Sequence, residues 1–211
     1  MFTMNREKLI EINKSEIFSE IDTFTMERYK QFSKYIFNKQ TVLDVGCNTG
    51  RGGKILRENF PESKIYGIDL VSDWLSCIPD GIYDQLFNDS IISWEGNNLK
   101  YDRIVAGEVI EHIPKEEFQR LLQNCRRMLD KDGLILVTTP NPDSYWVKIG
   151  RKAVFNDPSH VNIMSIKEFK LQVKNAGLSI LKISGSGKMT RYLKKFPLLN
   201  LYGSYIAILK S

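Results

Sequence analysis

Histidine and glutamate side chains in one short segment are the first candidates for chemistry in this 211-residue sequence. The chain has two histidines, His112 and His160. Glu108, Glu111 and His112 stand at positions i, i+3 and i+4, so they share one face if the segment is helical. Such a group can orient an acceptor molecule, remove its proton or bind a divalent cation. Alternatively, Glu111 and His112 only cap a helix start before Pro114. A metal is not favoured, because carboxylate–imidazole sets are common without one.

A glycine-rich turn follows the first predicted strand, in the sequence DVGCNTGRGG from Asp44 to Gly53. Glycine permits positive φ and close approach of a ligand, and the next helix offers unpaired N–H groups to a carboxylate or phosphate. A P-loop is excluded because Ile55 stands where Ser or Thr is required. The dinucleotide pattern GxGxxG is excluded because Asn48 replaces its second glycine. An acid before a glycine turn that lacks room for pyrophosphate favours a ligand with an amino acid end and a nucleoside end.

Polar residues follow the second and third predicted strands at positions suited to a nucleoside. Asp69 stands 19 residues beyond Gly50, where a carboxylate can accept both hydroxyls of a ribose or simply occupy a turn. Asn88, Asp89 and Ser90 follow the third strand, at a position suited to the exocyclic amine of adenine. Because ligands bind at the carboxyl ends of parallel strands, these residues are expected beside the glycine turn.

The elements that must position these residues alternate between short apolar strands and amphipathic helices. Helices are predicted at residues 53–60, 115–129 and 165–176, with one or two more within 16–38. Ser165 and Glu168 form a capping box for the third of these, and Gly177 ends it. The alternation predicts a doubly wound α/β sheet whose last strand is antiparallel, because no strong helix separates the final two strands. The seven strands are predicted at residues 41–45, 64–68, 85–87, 103–106, 134–138, 178–184 and 204–209.

The composition is that of an ordinary globular protein, with 42% apolar and 26% charged residues. No apolar run approaches the roughly 18 residues of a transmembrane helix, and the first eight residues lack the layout of a signal peptide. The three cysteines are far apart and show no CxxC spacing, which argues against disulfides and structural zinc. We expect a cytoplasmic protein with a helical segment, residues 1–40, and one domain, residues 41–211.

Charge is divided unevenly along the chain. Residues 1–145 hold 18 basic and 23 acidic side chains, whereas residues 146–211 hold 12 basic and two acidic ones, a net charge of +10. Basic and aromatic residues also interleave at 146–155 and 188–199. This pattern is typical of contact with an anionic partner such as a phosphate-bearing substrate, RNA or a membrane surface. It is equally typical of a solvated face or a dimer contact, so a monomer and a homodimer both remain open.

Five segments in order resemble the motifs of class I S-adenosylmethionine-dependent methyltransferases: VLDVGCNTGRGG, YGIDL, NDS, YDRIVAGEVIEHI and MLDKDGLILVTTPN. The resemblance covers roughly residues 25–210 and implies a Rossmann-like fold, S-adenosylmethionine as cofactor and S-adenosylhomocysteine as product. It assigns Asp44, Gly46, Cys47 and Gly50 to the methionine part, Asp69 and Leu70 to the ribose, Asn88, Asp89 and Ser90 to the adenine, and Gly107, Glu108 and Val109 to the sulfonium. Asn48 departs from the commoner glycine but tolerates the left-handed region.

Three further segments resemble particular subgroups of these enzymes. The segment ERYKQFSKYIF is similar to a helix of methyltransferases found with bacterial surface-glycan assembly, which implies that Arg28 and Tyr29 reach the cofactor carboxylate, although packing is an alternative. EVIEHI is similar to a segment of ubiquinone-pathway O-methyltransferases. The loop around His160 resembles the acceptor-side segment DPxH of the glycan subgroup. His160 is therefore the first candidate for general base, followed by His112 and Glu111, unless its ring only binds backbone.

These resemblances predict methyl transfer to a small or medium acceptor, at oxygen rather than nitrogen. A sugar or glycan precursor is the leading acceptor. Methylation of DNA bases is disfavoured, because the NPPY motif is absent after strand four, where this chain has GEVI. Two alternatives remain open: an RNA methyltransferase that uses the basic C-terminal third, and a module that binds the cofactor without turnover.

Overall fold

The computed structural model describes residues 23–150, 156–187 and 198–211, together with residues 7, 10, 11 and 190. The helices are α1 (Thr23–Phe32), α2 (Arg51–Asn59), α3 (Ser72–Leu75), α4 (Phe118–Met128), α5 (Tyr145–Lys148) and α6 (Ile166–Asn175). The strands are β1 (Thr41–Val45), β2 (Lys64–Asp69), β3 (Gln85–Asn88), β4 (Tyr101–Gly107), β5 (Leu129–Pro140), β6 (Ser179–Ser186) and β7 (Ser204–Lys210). Single 3₁₀ turns lie at Ser33–Tyr35, Ile110–His112 and Leu199–Leu201.

One seven-stranded sheet has the order β3-β2-β1-β4-β5-β7-β6. Strands β1 to β5 are parallel where they pair, and β7 is antiparallel to both β5 and β6. The predicted fold class is therefore confirmed, including the antiparallel last strand. Strand β5 begins earlier than predicted, because Leu129 already pairs with Tyr101 before the register shifts and regular pairing resumes at Leu134.

Helices cover both faces of the sheet, which explains why its central strands are apolar on both sides. Helices α4 and α6 pack on one face, where Phe118 and Phe169 are fully buried. Helices α1 and α2 cover the other face through Phe32 and Leu56. The candidate functional residues lie at the carboxyl ends of the parallel strands, where α1 meets the end of β4.

The predicted helix ends agree with the structure where capping signals exist. Ser165 and Glu168 form the expected capping box at the start of α6, and Gly177 beyond its end has a φ of 72°. Within the predicted N-terminal helices, α1 covers residues 23–32, whereas residues 16–22 lie outside the described part of the chain. Most of the two basic–aromatic segments, 151–155, 188–189 and 191–197, also lie outside it. Among the helices that are described, none is long and apolar enough to cross a membrane.

Candidate active site

The glycine-rich turn after β1 is held in a left-handed conformation at three positions. Gly46, Asn48 and Gly50 have φ values of 66°, 50° and 80°. A β-carbon at Gly46 would lie 2.6 Å from a methyl group of Val109, and one at Gly50 would lie 2.9 Å from Ile78. Glycine is therefore required at both positions by conformation and by space. Asparagine at position 48 fits because it adopts this conformation more readily than most residues.

The carboxylate of Asp69 joins this turn to the end of β2. Its Oδ2 accepts a hydrogen bond from the backbone N–H of Asn48 at 2.8 Å, and its Oδ1 accepts one from Val71 at 2.9 Å. Burial raises the pKa of Asp69, although these backbone hydrogen bonds oppose the shift. The side chain is 7% exposed, and Leu70 follows it at the edge of the sheet. The ribose role of these two residues stays a prediction.

The predicted adenine residues lie at the end of β3, next to the end of β2. The side-chain amide of Asn88 donates to the carbonyl oxygens of Asp69 and Leu70 at 3.1 and 3.2 Å. The carboxylate of Asp89 accepts a hydrogen bond from the backbone N–H of Ser90 at 2.7 Å. The structure therefore brings the ribose and adenine candidates together, as the sequence predicts.

Asp44 lies behind the glycine turn and is completely buried. The hydroxyl groups of Tyr29 and Tyr83 donate to its Oδ1 and Oδ2, each at 2.6 Å. Burial raises the pKa of Asp44 to about 6, against the effect of these two hydrogen bonds. Burial and the charge of Asp44 also raise the pKa of both tyrosines, which therefore remain protonated donors. Cys47 is buried beside them, and burial raises the pKa of its thiol.

This arrangement differs from the role that the resemblance implies for Tyr29. Its hydroxyl donates to Asp44, and contact of Tyr29 with a cofactor carboxylate stays a prediction. The neighbouring Arg28 forms an ion pair, with its Nε 3.7 Å from Oε1 of Glu108. Tyr83 was not predicted as a site residue, because it lies in a loop with no recognisable motif and meets Asp44 only through the fold.

The segment after β4 leaves the sheet through an unusual backbone conformation. Glu108 has a φ of 59°, and its backbone N–H donates to the carbonyl of Thr138 at 3.0 Å. Gly107 before it lies against α1, where an added β-carbon would lie 3.4 Å from Phe32. The predicted sulfonium residues Gly107, Glu108 and Val109 thus lie at the end of β4, and Val109 contacts the glycine turn at Gly46.

The condition for a shared helical face of Glu108, Glu111 and His112 is not met, because residues 110–112 form a 3₁₀ turn rather than an α-helix. Glu108 pairs with Arg28, whereas Glu111 and His112 meet His160 from a distant loop. One ligand atom from each of these last three residues lies within 4.8 Å of the other two. The rings of His112 and His160 are nearly perpendicular, with centroids 4.9 Å apart.

Glu111 is completely buried and His112 is partly buried, and the pKa values of both are shifted far from their ordinary range. Burial, then the charge of Glu108, raises the pKa of Glu111 well above its usual value. Oε2 of Glu111 accepts a hydrogen bond from the Thr139 hydroxyl at 3.1 Å. Burial, then the proximity of His160, lowers the pKa of His112 to about 4. His112 is therefore a neutral imidazole near pH 7.

His160 has an acidic neighbour in its own loop. Its Nε2 lies 3.9 Å from Oδ2 of Asp157. Oδ1 of Asp157 accepts hydrogen bonds from the backbone N–H and hydroxyl of Ser159 at 2.9 and 2.6 Å. Partial burial raises the pKa of Asp157, but these bonds and the nearby histidines outweigh it and lower the pKa overall. An ionised Asp157 would therefore stabilise a positive charge on the ring of His160.

Unpaired buried polar atoms are concentrated at this site. Within the described residues, five buried side-chain atoms have no hydrogen-bond partner: Oε1 of Glu108, Oε1 of Glu111, Nδ1 of His112, Oγ1 of Thr138 and the hydroxyl of Tyr205. Oε1 of Glu108 has only the ion pair with Arg28 at 3.7 Å, which is longer than a hydrogen bond. All five belong to residues at the ends of β4 and β5 or the start of β7, and Tyr205 pairs directly with Thr139. An unpaired buried polar group costs about 1–3 kcal/mol, so this concentration indicates a place for a ligand.

A divalent cation fits the three gathered side chains. A carboxylate oxygen and two imidazole nitrogens are ligands that zinc and other transition metals accept. Two of the five unpaired atoms belong to this group, Oε1 of Glu111 and Nδ1 of His112. The residue pattern alone does not favour a metal. The structure, however, brings His160 next to Glu111 and His112, although it lies 48 positions after His112 in the sequence.

Curated relatives of this chain are methyltransferases of several kinds. A small RNA 2'-O-methyltransferase of Tetrahymena thermophila is 24% identical over 213 residues, covering 85% of this chain and 49% of that protein. A malonyl-[acyl-carrier protein] O-methyltransferase of Halalkalibacterium halodurans is 26% identical over 114 residues, covering 51% of this chain and 41% of that protein. The chain therefore spans less than half the length of these two relatives.

A solved structure and a family match also indicate a methyltransferase. A SAM-dependent methyltransferase from Archaeoglobus fulgidus superposes with a TM-score of 0.68 at 20% identity, covering 87% of this chain and 91% of that one. The likeness shows the same fold. Residues 17–183 match the family described as methyltransferase domain, which is most of the chain. The protein therefore belongs to the methyltransferase domain family and has the fold of class I S-adenosylmethionine-dependent methyltransferases.

Proposed function

We propose that this protein transfers the methyl group of S-adenosylmethionine to a hydroxyl oxygen of a sugar or glycan precursor. The observation that carries the proposal is the group of the buried Glu111 and the partly buried His112 and His160, with its unpaired atoms, next to the end of β4. A hydroxyl acceptor must lose its proton during the transfer, and these side chains can orient the hydroxyl and take the proton. Oxygen as the acceptor atom is also supported by the names of the two relatives, which both denote O-methyltransferases.

His160 is the proposed general base. The acceptor oxygen forms a bond to the methyl carbon while the carbon–sulfur bond breaks. The electron pair of the carbon–sulfur bond goes to sulfur, which gives S-adenosylhomocysteine. The hydroxyl proton passes to His160, and the carboxylate of Asp157, 3.9 Å from its Nε2, stabilises the resulting charge. His112 is the weaker base because burial lowers its pKa to about 4, so its role is to orient the acceptor.

The same residues support a metal-assisted version of this reaction. A cation held by Glu111, His112 and His160 would lower the pKa of a bound hydroxyl. Metal analysis of the purified protein and assays with and without a chelator separate the two versions. Activity that survives complete metal removal excludes the metal-assisted version, and activity restored by one divalent ion excludes the metal-free one.

A second candidate function is methylation of RNA. The similarity to a small RNA 2'-O-methyltransferase covers 85% of this chain, and residues 146–211 carry a net charge of +10. A protein that neutralises several phosphates loses affinity steeply as salt rises. Binding to a short RNA measured across salt concentrations therefore tests this candidate. Absence of a steep logarithmic salt dependence would exclude it.

The deciding experiment is an acceptor screen with radiolabelled S-adenosylmethionine. Nucleotide-linked sugars, lipid-linked glycan precursors and short RNAs are offered in parallel, and label in one class identifies the acceptor. Asp69→Ala serves as the control that cannot hold the ribose, and it should lose both binding of S-adenosylhomocysteine and transfer. Binding without transfer to any acceptor would instead indicate a module that holds the cofactor without turnover.

A further inference from the structure

Three distant parts of the chain meet at the carboxylate of Asp44. Tyr29 comes from α1, Asp44 from β1 and Tyr83 from the loop before β3. Each hydroxyl donates to a different oxygen of Asp44 at 2.6 Å, and the carboxylate is completely buried. Short bonds to an ionised acceptor are stronger than those between neutral groups. We call these three residues the Asp44 clamp.

The aromatic rings of the Asp44 clamp enclose the first turn of α2. A β-carbon at Gly52 would lie 2.0 Å from the ring of Tyr29, and one at Gly53 would lie 2.1 Å from that of Tyr83. Both glycines follow the turn of residues 46–50 directly. The rings therefore occupy the space of two missing side chains and fix where the turn ends and α2 begins.

Tyr83 is itself held in place from both sides. The side chain of Arg57 in α2 donates to the carbonyl of Ile82 at 3.2 Å and to the carboxylate of Asp84 at 2.6 Å. The same carboxylate accepts the backbone N–H of Ile65 in β2 at 2.8 Å. Because both neighbours of Tyr83 are tied down, its hydroxyl approaches Asp44 from a fixed position.

We propose that Tyr83 is a positioning residue for S-adenosylmethionine. It acts through Asp44, which holds the turn of residues 46–50 in the left-handed conformation that binds the ligand. Tyr29 does the same from the side of α1. The inference rests on the proposed function in that S-adenosylmethionine is the donor, but it does not depend on which acceptor is methylated. The hydroxyl of Tyr83 donates to Asp44 and not to the acceptor group of Glu111, His112 and His160.

Tyr83→Phe isolates the hydroxyl, because the ring still fills the space at Gly53. We expect the Kd for S-adenosylhomocysteine and the KM for S-adenosylmethionine to rise about tenfold, since a hydrogen bond to a buried charge is lost. We expect kcat to change less than twofold, because the acceptor group is untouched. Tyr29→Phe removes the other donor and should act in the same direction, which provides a second variant.

Tyr101→Phe is the matched control. Tyr101 is fully buried, whereas Tyr83 is partly buried, and the hydroxyl of Tyr101 donates to Oδ1 of Asn97 at 3.0 Å. Tyr101 lies at the start of β4, at the amino-terminal ends of the parallel strands and away from the glycine turn. Calorimetric titration with S-adenosylhomocysteine and a melting curve are recorded for each protein. The proposal is overturned if Tyr83→Phe lowers the Tm as the control does yet binds with wild-type affinity. Absence of binding by the wild-type protein would instead contradict the proposed function.

The route through Asp44 has its own test. In an Asp44→Asn background, Tyr83→Phe should reduce affinity for S-adenosylhomocysteine by less than twofold further, because the acceptor of its hydroxyl has already been altered. A full additional tenfold loss in the double variant would show that Tyr83 acts by another route.

Discussion

Asp44 is one of the buried carboxyl groups through which the stability of this protein depends on pH. Its pKa is about 6 in the folded protein, whereas the ordinary value is 3.8. Between these values the folded protein keeps a proton that the unfolded chain has lost, so the free energy of unfolding decreases as pH rises. The full shift corresponds to about 3 kcal/mol.

Asp44→Asn should remove the part of the pH dependence of stability that comes from Asp44. Urea unfolding of the wild-type protein and the variant is measured at several values from pH 4 to pH 7. The difference between the two unfolding free energies should change by up to about 3 kcal/mol over this range, with the wild-type protein relatively more stable at the acidic end. Parallel pH profiles would contradict a raised pKa for Asp44.

His160 and His112 are close neighbours with different expected roles. His160→Ala should lower kcat by on the order of 10²-fold or more, because it removes the proposed base, while affinity for S-adenosylhomocysteine remains unchanged. The two effects are measured separately by steady-state kinetics and calorimetry. Full activity of the variant would remove His160 from the mechanism.

At the scale of elements, sequence signals predicted best where one local interaction determines the structure. The capping box of Ser165 and Glu168 was predicted from spacing alone, because both partners lie within one turn. The segment from Glu108 to His112 was predicted only conditionally, since spacing of three and four residues indicates a shared face only if the backbone is α-helical. The left-handed Glu108 and the 3₁₀ turn that follows break that assumption.

The capping box also yields a stability prediction for α6. Its Ser165 hydroxyl accepts the backbone N–H of Glu168 at 3.2 Å, and the Glu168 carboxylate accepts the N–H of Ser165 at 3.0 Å. Ser165→Ala should lower the free energy of unfolding by about 1 kcal/mol in urea titrations. Ser93→Ala, at an exposed hydroxyl with a long 3.4 Å bond, is the control and should change stability by less. Equal effects would show that the cap adds nothing to α6.

At the scale of the whole molecule, the order of motifs was enough to predict the sheet and to predict that the candidate cofactor residues lie close together. Asp69, Asn88 and the glycine turn lie at successive strand ends, so one rule of parallel sheets brings them together. Tyr83 and Tyr205 were not predicted, because their partners are 39 and 66 residues away and meet them only through the sheet. The uneven distribution of charge along the chain was visible in the sequence. Composition alone does not show whether the basic C-terminal part binds an anionic partner, or which one.

The place of β7 between β5 and β6 has a consequence for the synthesis of this protein. Tyr205 reaches the site only by pairing with Thr139, after every other strand has left the ribosome. The residues assigned to the donor molecule all precede position 110 and emerge much earlier. A nascent chain that stops after β6 would therefore contain every residue predicted to bind the donor but lack Tyr205, whose buried hydroxyl has no hydrogen-bond partner among the described residues.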